Sequence, residues 1–206
     1  MQPSVESSRV WNVPNTLSAL RLLLAFGLFV LIEQHLFVGA TLLFLVAAST
    51  DWIDGWWARR FGQITRLGRI FDPLVDKVIV CGAFILLADR GDGSAIAAWM
   101  AVVVVVRELI VTAVRAEMER SGRDFSAGLS GKLKMVLQCA AIGLELMARA
   151  QPDAALAGTS VRQMAWIAAW AAVVVTAYSG VDYLCVARGI LASPAPDAQR
   201  VPDREP

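Results

Sequence analysis

Runs of leucine, valine, alanine and phenylalanine, each about as long as a helix needs to cross ~30 Å of hydrocarbon, alternate along the chain with short polar breaks. The pattern predicts six membrane-spanning helices: Leu17 to Phe37, Thr41 to Ala58, Arg69 to Ala88, Ala95 to Met118, Ser130 to Ala148 and Val161 to Leu184. Turn and charge clusters separate them, at Glu33 to His35, Arg59 to Arg69, Asp89 to Ser94, Glu117 to Phe125 and Gln151 to Ser160. The second run is marginal, because its apolar part ends at aspartates unless Trp56 and Trp57 carry it into the interfacial layer that indole rings favour. The expected fold class is all-α, a polytopic membrane protein built as a six-transmembrane-helix bundle over residues 17–190. Residues 1–16 read as an N-terminal cytoplasmic or interfacial segment. Residues 191–206, ending in SPAPDAQRVPDREP, read as a disordered cytoplasmic tail rich in Pro, Asp and Arg.

Composition agrees with this pattern. Hydrophobic residues make up 57% of the 206 positions and the mean hydropathy is +0.57, above what a soluble domain of this length carries. The 19 Lys and Arg nearly balance the 18 Asp and Glu, so their distribution informs more than their sum. Basic residues gather after the second run, at Arg59, Arg60, Arg66 and Arg69, and after the fourth, at Arg115, Arg120, Arg123, Lys132 and Lys134; the other connections hold Arg90, Arg149 and Arg162. Excess positive charge marks the cytoplasmic side of a membrane, so both basic connections and both termini are expected to face the cytoplasm. No nucleic-acid partner is expected. Cys81, Cys139 and Cys185 sit in separate apolar runs without metal or redox spacing, and read as small buried hydrophobes. His35, the only histidine, lies in a polar connection and reads as a solvated loop residue. The polar start MQPSVESSRVWNVPN lacks the apolar core of a signal peptide, so the first apolar helix is expected to be retained.

Chemistry concentrates in DWIDGWWARRFGQITRLGRIFDPLVD, residues 51–76. A carboxylate in hydrocarbon costs at least ~3 kcal/mol, and here four stand at the ends of apolar runs: Asp51, Asp54, Asp72 and Asp76. Asp51 and Asp54 are three apart and Asp72 and Asp76 four apart, so each pair projects from one helical face. Capping accounts for one or two such residues; two helical pairs that converge need cations, since like charges in a low dielectric repel or take up protons. Carboxylates without His or Cys suit Mg²⁺ or Mn²⁺, and Mg²⁺ is usually shared with substrate phosphates. Gly55, Ala58 and Gly68 leave room for a ligand or for close helix packing, and Arg59 offers a planar fork to a phosphate or simply marks the cytoplasmic side.

In register, Asp51, Asp54, Gly55, Ala58, Arg59, Gly68, Asp72 and Asp76 form D-x2-D-G-x2-A-R-x8-G-x3-D-x3-D. All of these positions match the signature of the CDP-alcohol phosphotransferase family, which the chain therefore resembles. The resemblance implies attack by an acceptor hydroxyl on the phosphorus next to the lipid of a CDP-linked donor, with CMP leaving and no covalent intermediate. Asp51, Asp54, Asp72 and Asp76 are then the ligands of two divalent ions, Asp76 doubles as general base, and Gly55, Ala58, Arg59 and Gly68 accommodate the CDP moiety. A homodimer is also implied.

Outside the motif, VWNVPNTLSALRLLLA, RELIVTAVRAEME and SGKLKMVLQ are similar to those bacterial members of the family that use CDP-diacylglycerol and glycerol 3-phosphate to make phosphatidylglycerophosphate. Asn15, Thr16 and Arg21 belong to a pattern shared by several members. Arg107 and Arg115, eight apart, fall on nearly one helical face; with Lys132 and Lys134 they form a candidate pocket for the acceptor's phosphate. Topology alone also explains the two lysines. Arg107 lies deep in AVVVVVRELIV, where a paired or functional role is expected and Glu108 is the natural partner. Inositol phosphate, serine and phosphatidylglycerol remain alternative acceptors. A divalent-cation transporter is a more distant reading, disfavoured because the acidic residues gather at one membrane face instead of the midplane.

Overall fold

A computed structural model describes residues 13–61, 66–88, 93–120, 129–156 and 158–192 of the chain. Six helices carry the fold: α1 (Val13–Glu33), α2 (Phe37–Phe61), α3 (Arg66–Ala88), α4 (Ala98–Arg120), α5 (Leu129–Ala150) and α6 (Val161–Ala192). A two-stranded antiparallel hairpin, β1 (Ala155–Leu156) with β2 (Thr159–Ser160), precedes α6 and adds the only departure from an all-α chain among the described residues. Its turn passes through Gly158 at φ 80, a left-handed conformation that glycine adopts without strain.

Helix ends differ from expectation by local chemistry. α1 starts at Val13 instead of Leu17, because Pro14 in a first helical turn forfeits an N–H that would have no intrahelical partner anyway. It stops at Glu33, four residues before the expected Phe37, because His35 turns left-handed at φ 57. There the Leu36 N–H reaches the Leu31 carbonyl (2.9 Å) and the His35 N–H reaches that of Ile32 (3.1 Å), the paired closure that satisfies carbonyls at a helix end. His35 is thus the turn residue its position suggested. α2 begins directly afterwards and runs through the aspartates to Phe61, past both expected limits. α6 runs on to Ala192 beyond the expected Leu184, and α4 starts at Ala98, three residues later than expected.

Successive helices alternate in direction. Leu43 of α2 packs at Gly27 of α1 and Leu31 of α1 at Gly39 of α2; Phe44 packs at Gly143 of α5, while the Arg149 guanidinium lies 5.5 Å from the Phe37 ring centre. Trp99 of α4 meets Trp170 of α6 edge to face at 5.4 Å. α3 sits against α1, α4 and α5, and among its described side chains Leu74 and Ile85 are the large apolar ones exposed. Each helix buries a stripe at spacings of three and four: Arg21, Ala25, Leu28 and Ile32 on α1, and Val161, Ala165, Ala169, Ala172, Thr176, Ser179 and Tyr183 on α6.

Several charged and polar residues share the apolar core, while many large apolar side chains lie on the outside. Glu108, Lys134, Gln138, Glu145, Thr176 and Ser179 are inside, while Leu23, Phe26, Leu42, Val102, Leu109, Val136, Ile167 and Val174 face outward. An apolar surface of this extent marks contact with lipid or protein. α6 is the one helix among the described residues long and apolar enough to cross a membrane, at mean hydropathy 1.6 over Val161–Gly189; a shorter apolar helical stretch covers Phe37–Thr50. α4 and α5 are less apolar because they carry Arg107, Glu108, Lys134 and Glu145, all of which the fold turns inward.

At the end where α3 hands over to α4, Glu145 anchors a closed network. Its carboxylate accepts the Ala95 N–H (3.1 Å), the Ser94 hydroxyl (3.2 Å) and Arg149 Nε (2.7 Å). Arg149 also donates to the Leu87 carbonyl (3.3 Å), and Arg162 of α6 donates to that of Gly93 (2.7 Å). A carboxylate with this many donors is satisfied where it stands, and ties the α3–α4 turn to α5.

Candidate active site

Alternation brings the last turns of α2, α4 and α6 to the same end of the bundle as the first turns of α1, α3 and α5. Asp51 and Asp54 stand in the second half of α2, and Asp72 and Asp76 in the first half of α3, so the backbone carries both pairs toward that end. Of the expected site residues, Asp51, Asp54, Gly55, Ala58, Arg59, Gly68, Asp72 and Lys132 have surroundings that lie outside the described residues. Asp76, Arg107, Arg115 and Lys134 are described with their contacts.

Asp76 is held from α1. Arg21, 3% exposed, donates from Nη1 to Asp76 Oδ1 at 2.8 Å, joining two helices distant in sequence. The guanidinium, always charged, stabilises the ionised carboxylate. Asp76 remains 31% exposed, which leaves carboxylate surface that a hard cation or an acceptor hydroxyl can reach. Its oxygen-only chemistry suits Mg²⁺ or Mn²⁺.

A second cluster lies where α4, α5 and α6 meet. The Glu108 carboxylate pairs with Lys134 of α5 and accepts from Arg107 Nη1 at 3.3 Å, with each of these side chains about nine-tenths buried. The expected Arg107–Glu108 pair is therefore present, and Lys134 shares it. Arg107 Nη2 donates to Ser179 Oγ of α6 at 2.7 Å. One turn deeper, Gln138 donates to the Thr176 hydroxyl at 3.0 Å. Arg115 faces the same helix, its guanidinium 6.0 Å from the Tyr183 ring centre. Both arginines thus reach α6, which accords with an eight-residue spacing that puts them on nearly one face of α4. The Nε atoms of Arg107 and Arg115 are buried with no hydrogen-bond partner among the described residues.

The charge balance here is positive. Two cations, Arg107 and Lys134, share one carboxylate, and among the described residues Arg115 forms no ion pair. Lys77, one residue after Asp76, lies within electrostatic reach of Glu108, Arg115 and Asp76 and likewise has no ion pair among the described residues. Such a surplus inside a bundle is stable when an anion shares the space. Sequence reasoning passed over Lys77 and the α6 residues. The signal for the latter existed: Thr176, Ser179 and Tyr183 interrupt an apolar helix at spacings of three and four, marking a polar stripe on a buried face.

This arrangement, carboxylates and cations at one end of an all-helical bundle with an apolar exterior, is that of an enzyme acting on phosphates at a lipid boundary, and sequence comparison agrees. A sequence model of the CDP-alcohol phosphatidyltransferase family matches residues 11–178, and the chain belongs to this family of transferases. It is 36% identical over 193 residues to the CDP-diacylglycerol–glycerol-3-phosphate 3-phosphatidyltransferase of Pectobacterium atrosepticum, covering 89% of this chain and 99% of the relative. The proteins of the same name from Haemophilus influenzae and Bacillus subtilis are 33% and 32% identical, over 88% and 71% of this chain and 96% and 72% of theirs. Family membership removes the ion-transporter reading.

Proposed function

We propose that the protein transfers the phosphatidyl group of CDP-diacylglycerol to glycerol 3-phosphate, giving phosphatidylglycerophosphate and CMP, as the names of its relatives state for them. The observation that carries the acceptor is the cation surplus of Arg107, Arg115, Lys134 and Lys77 beside Asp76, which suits a phosphorylated alcohol better than serine or a neutral hydroxyl. In this reading the phosphate of the acceptor rests on Arg107, Arg115, Lys132 and Lys134. Its free hydroxyl comes within reach of Asp76.

Asp76, fixed by Arg21, takes the hydroxyl proton as the oxygen attacks the donor phosphorus next to the lipid. The bond from that phosphorus to the CMP oxygen breaks, and CMP departs. Gly55, Ala58, Arg59 and Gly68 make room for the cytidine diphosphate. Asp51, Asp54, Asp72 and Asp76 would hold two divalent ions, Mg²⁺ or Mn²⁺, which when bound would neutralise the diphosphate and stabilise the leaving phosphate oxygen.

The apolar exterior supports insertion in a membrane, and in this proposal six crossings span residues 17–190, with residues 1–16, residues 191–206 and the active site on the cytoplasmic side of the cell membrane. The enzyme acts as a homodimer in this proposal. Purified full-length protein in detergent, given CDP-diacylglycerol and glycerol 3-phosphate, releases CMP. Absence of release with glycerol 3-phosphate, together with release on inositol phosphate, reassigns the acceptor; absence of release with every phosphorylated alcohol overturns the reading.

A further inference from the structure

α6 belongs to neither the aspartate motif nor the basic residues of the acceptor pocket, yet it contributes the polar stripe of Thr176, Ser179 and Tyr183 to the same seam. The stem of Arg107 lies flat against it: a Cβ placed on Gly180 would stand 3.0 Å from Arg107 Cγ, closer than ordinary van der Waals contact. Beyond that stem, Ser179 Oγ receives Nη2 at 2.7 Å, short for a nitrogen donor and charge-assisted. From the other side Glu108 holds Nη1. The guanidinium is thereby clamped between its own helix and α6, and its Nε remains buried without a partner among the described residues. A guanidinium has five N–H donors in a fixed plane, so fixing one nitrogen from each side sets where the remaining donors point.

We propose that Ser179 and Gly180 are positioning residues for the acceptor: they seat Arg107 against α6 and orient its unused donors toward the acceptor's phosphate. The proposal rests on the reading of Arg107 as an acceptor-phosphate ligand. Gly180 supplies the space and Ser179 the anchor, and both act through Arg107. Their removal therefore weakens one substrate and spares the other.

The test measures KM for glycerol 3-phosphate and for CDP-diacylglycerol, with the full-length enzyme in mixed micelles, for Ser179→Ala, Ser179→Thr, Gly180→Ala, Arg107→Lys and the double variant Ser179→Ala/Arg107→Lys. Ser179→Ala raises KM for glycerol 3-phosphate about ten-fold, the scale of one hydrogen bond to a charged group, and leaves KM for CDP-diacylglycerol within about two-fold. Gly180→Ala moves the same constant in the same direction, and Ser179→Thr, which keeps the hydroxyl, retains affinity better than Ser179→Ala. Once Arg107 is lysine, adding Ser179→Ala changes KM less than about two-fold, because residues acting through one another are not additive. Equal rises in both KM values, a full additional factor in the double variant, or no change in either Ser179→Ala or Gly180→Ala overturns the proposal. If Arg107→Lys raises KM for glycerol 3-phosphate while Ser179→Ala does not, the seat alone is wrong. If Arg107→Lys leaves that KM unchanged, the acceptor-pocket reading falls with it.

Discussion

Arg21 and Asp76 illustrate how one contact across the bundle positions a carboxylate. In the proposed mechanism Asp76 is the base, and the buried guanidinium of Arg21, 2.8 Å from its Oδ1, fixes where that carboxylate sits. Asp76→Asn is expected to lower CMP release by about 10²–10⁴-fold, the usual worth of a positioned base, with the thermal unfolding midpoint near that of the parent. Arg21→Lys keeps the charge but loses the fork, and is expected to lower kcat about ten-fold with little change in either KM. Glu108 has a different role. It is the counter-charge of two buried cations, so Glu108→Gln leaves both uncompensated and is expected to destabilise the protein by about 3–5 kcal/mol, read from denaturant titration in detergent. The four aspartates, and Arg107 and Arg115 of α4, stood out as candidates in the sequence because charges in or beside apolar runs are rare. Ser179 and Gly180 were not, since a small polar residue in an apolar helix gains meaning only from what lies across the interface.

Among elements, α1 and α3 approach most tightly where Phe29 meets Gly82. A Cβ on Gly82 would stand 2.2 Å from Phe29 Cζ, so the ring occupies the place of a side chain. Gly82→Ala is expected to cost about 1–3 kcal/mol through overpacking, and a second change, Phe29→Leu, to recover part of it in the same unfolding assay. This contact holds the face of α1 that presents Arg21, so the double variant also recovers activity. The six helices themselves could be read from hydropathy, but their ends could not. Hydropathy registers where apolar character stops; a helix stops where its backbone finds another partner. At His35 that partner is a left-handed turn, and in α2 the chain stays helical through Asp51 and Asp54 because a carboxylate interrupts apolarity without interrupting backbone hydrogen bonding.

For the whole molecule, an apolar exterior, around a core that also holds Arg21, Glu108, Lys134 and Glu145, fixes which solvent suits it. In inverted and right-side-out vesicles, starting from a chain with Cys81, Cys139 and Cys185 replaced by serine, a cysteine at Glu117 is expected to react with an impermeant thiol reagent only from the cytoplasmic face, and one at Asp153 only from the opposite face. Reaction of both from the same face excludes the six-crossing topology. Metal removal acts at the same scale, since the four carboxylates proposed to converge would repel without cations: EDTA is expected to stop CMP release, and Mg²⁺ or Mn²⁺ to restore it.

The sequence by itself determined the class of protein and the donor chemistry. Carboxylate and glycine spacing along two stretches of helix is a local property, and local spacing survives whatever the rest of the chain does. Tertiary structure decided which charges meet. That Arg21 serves Asp76, that Glu108 is shared by Arg107 and Lys134, and that α6 seats Arg107 depend on alternating helices bringing residues 26 to 72 positions apart into contact. No periodicity encodes such a pairing, because it follows from which helical faces pack together once lipid claims the apolar sides and leaves the polar ones to one another.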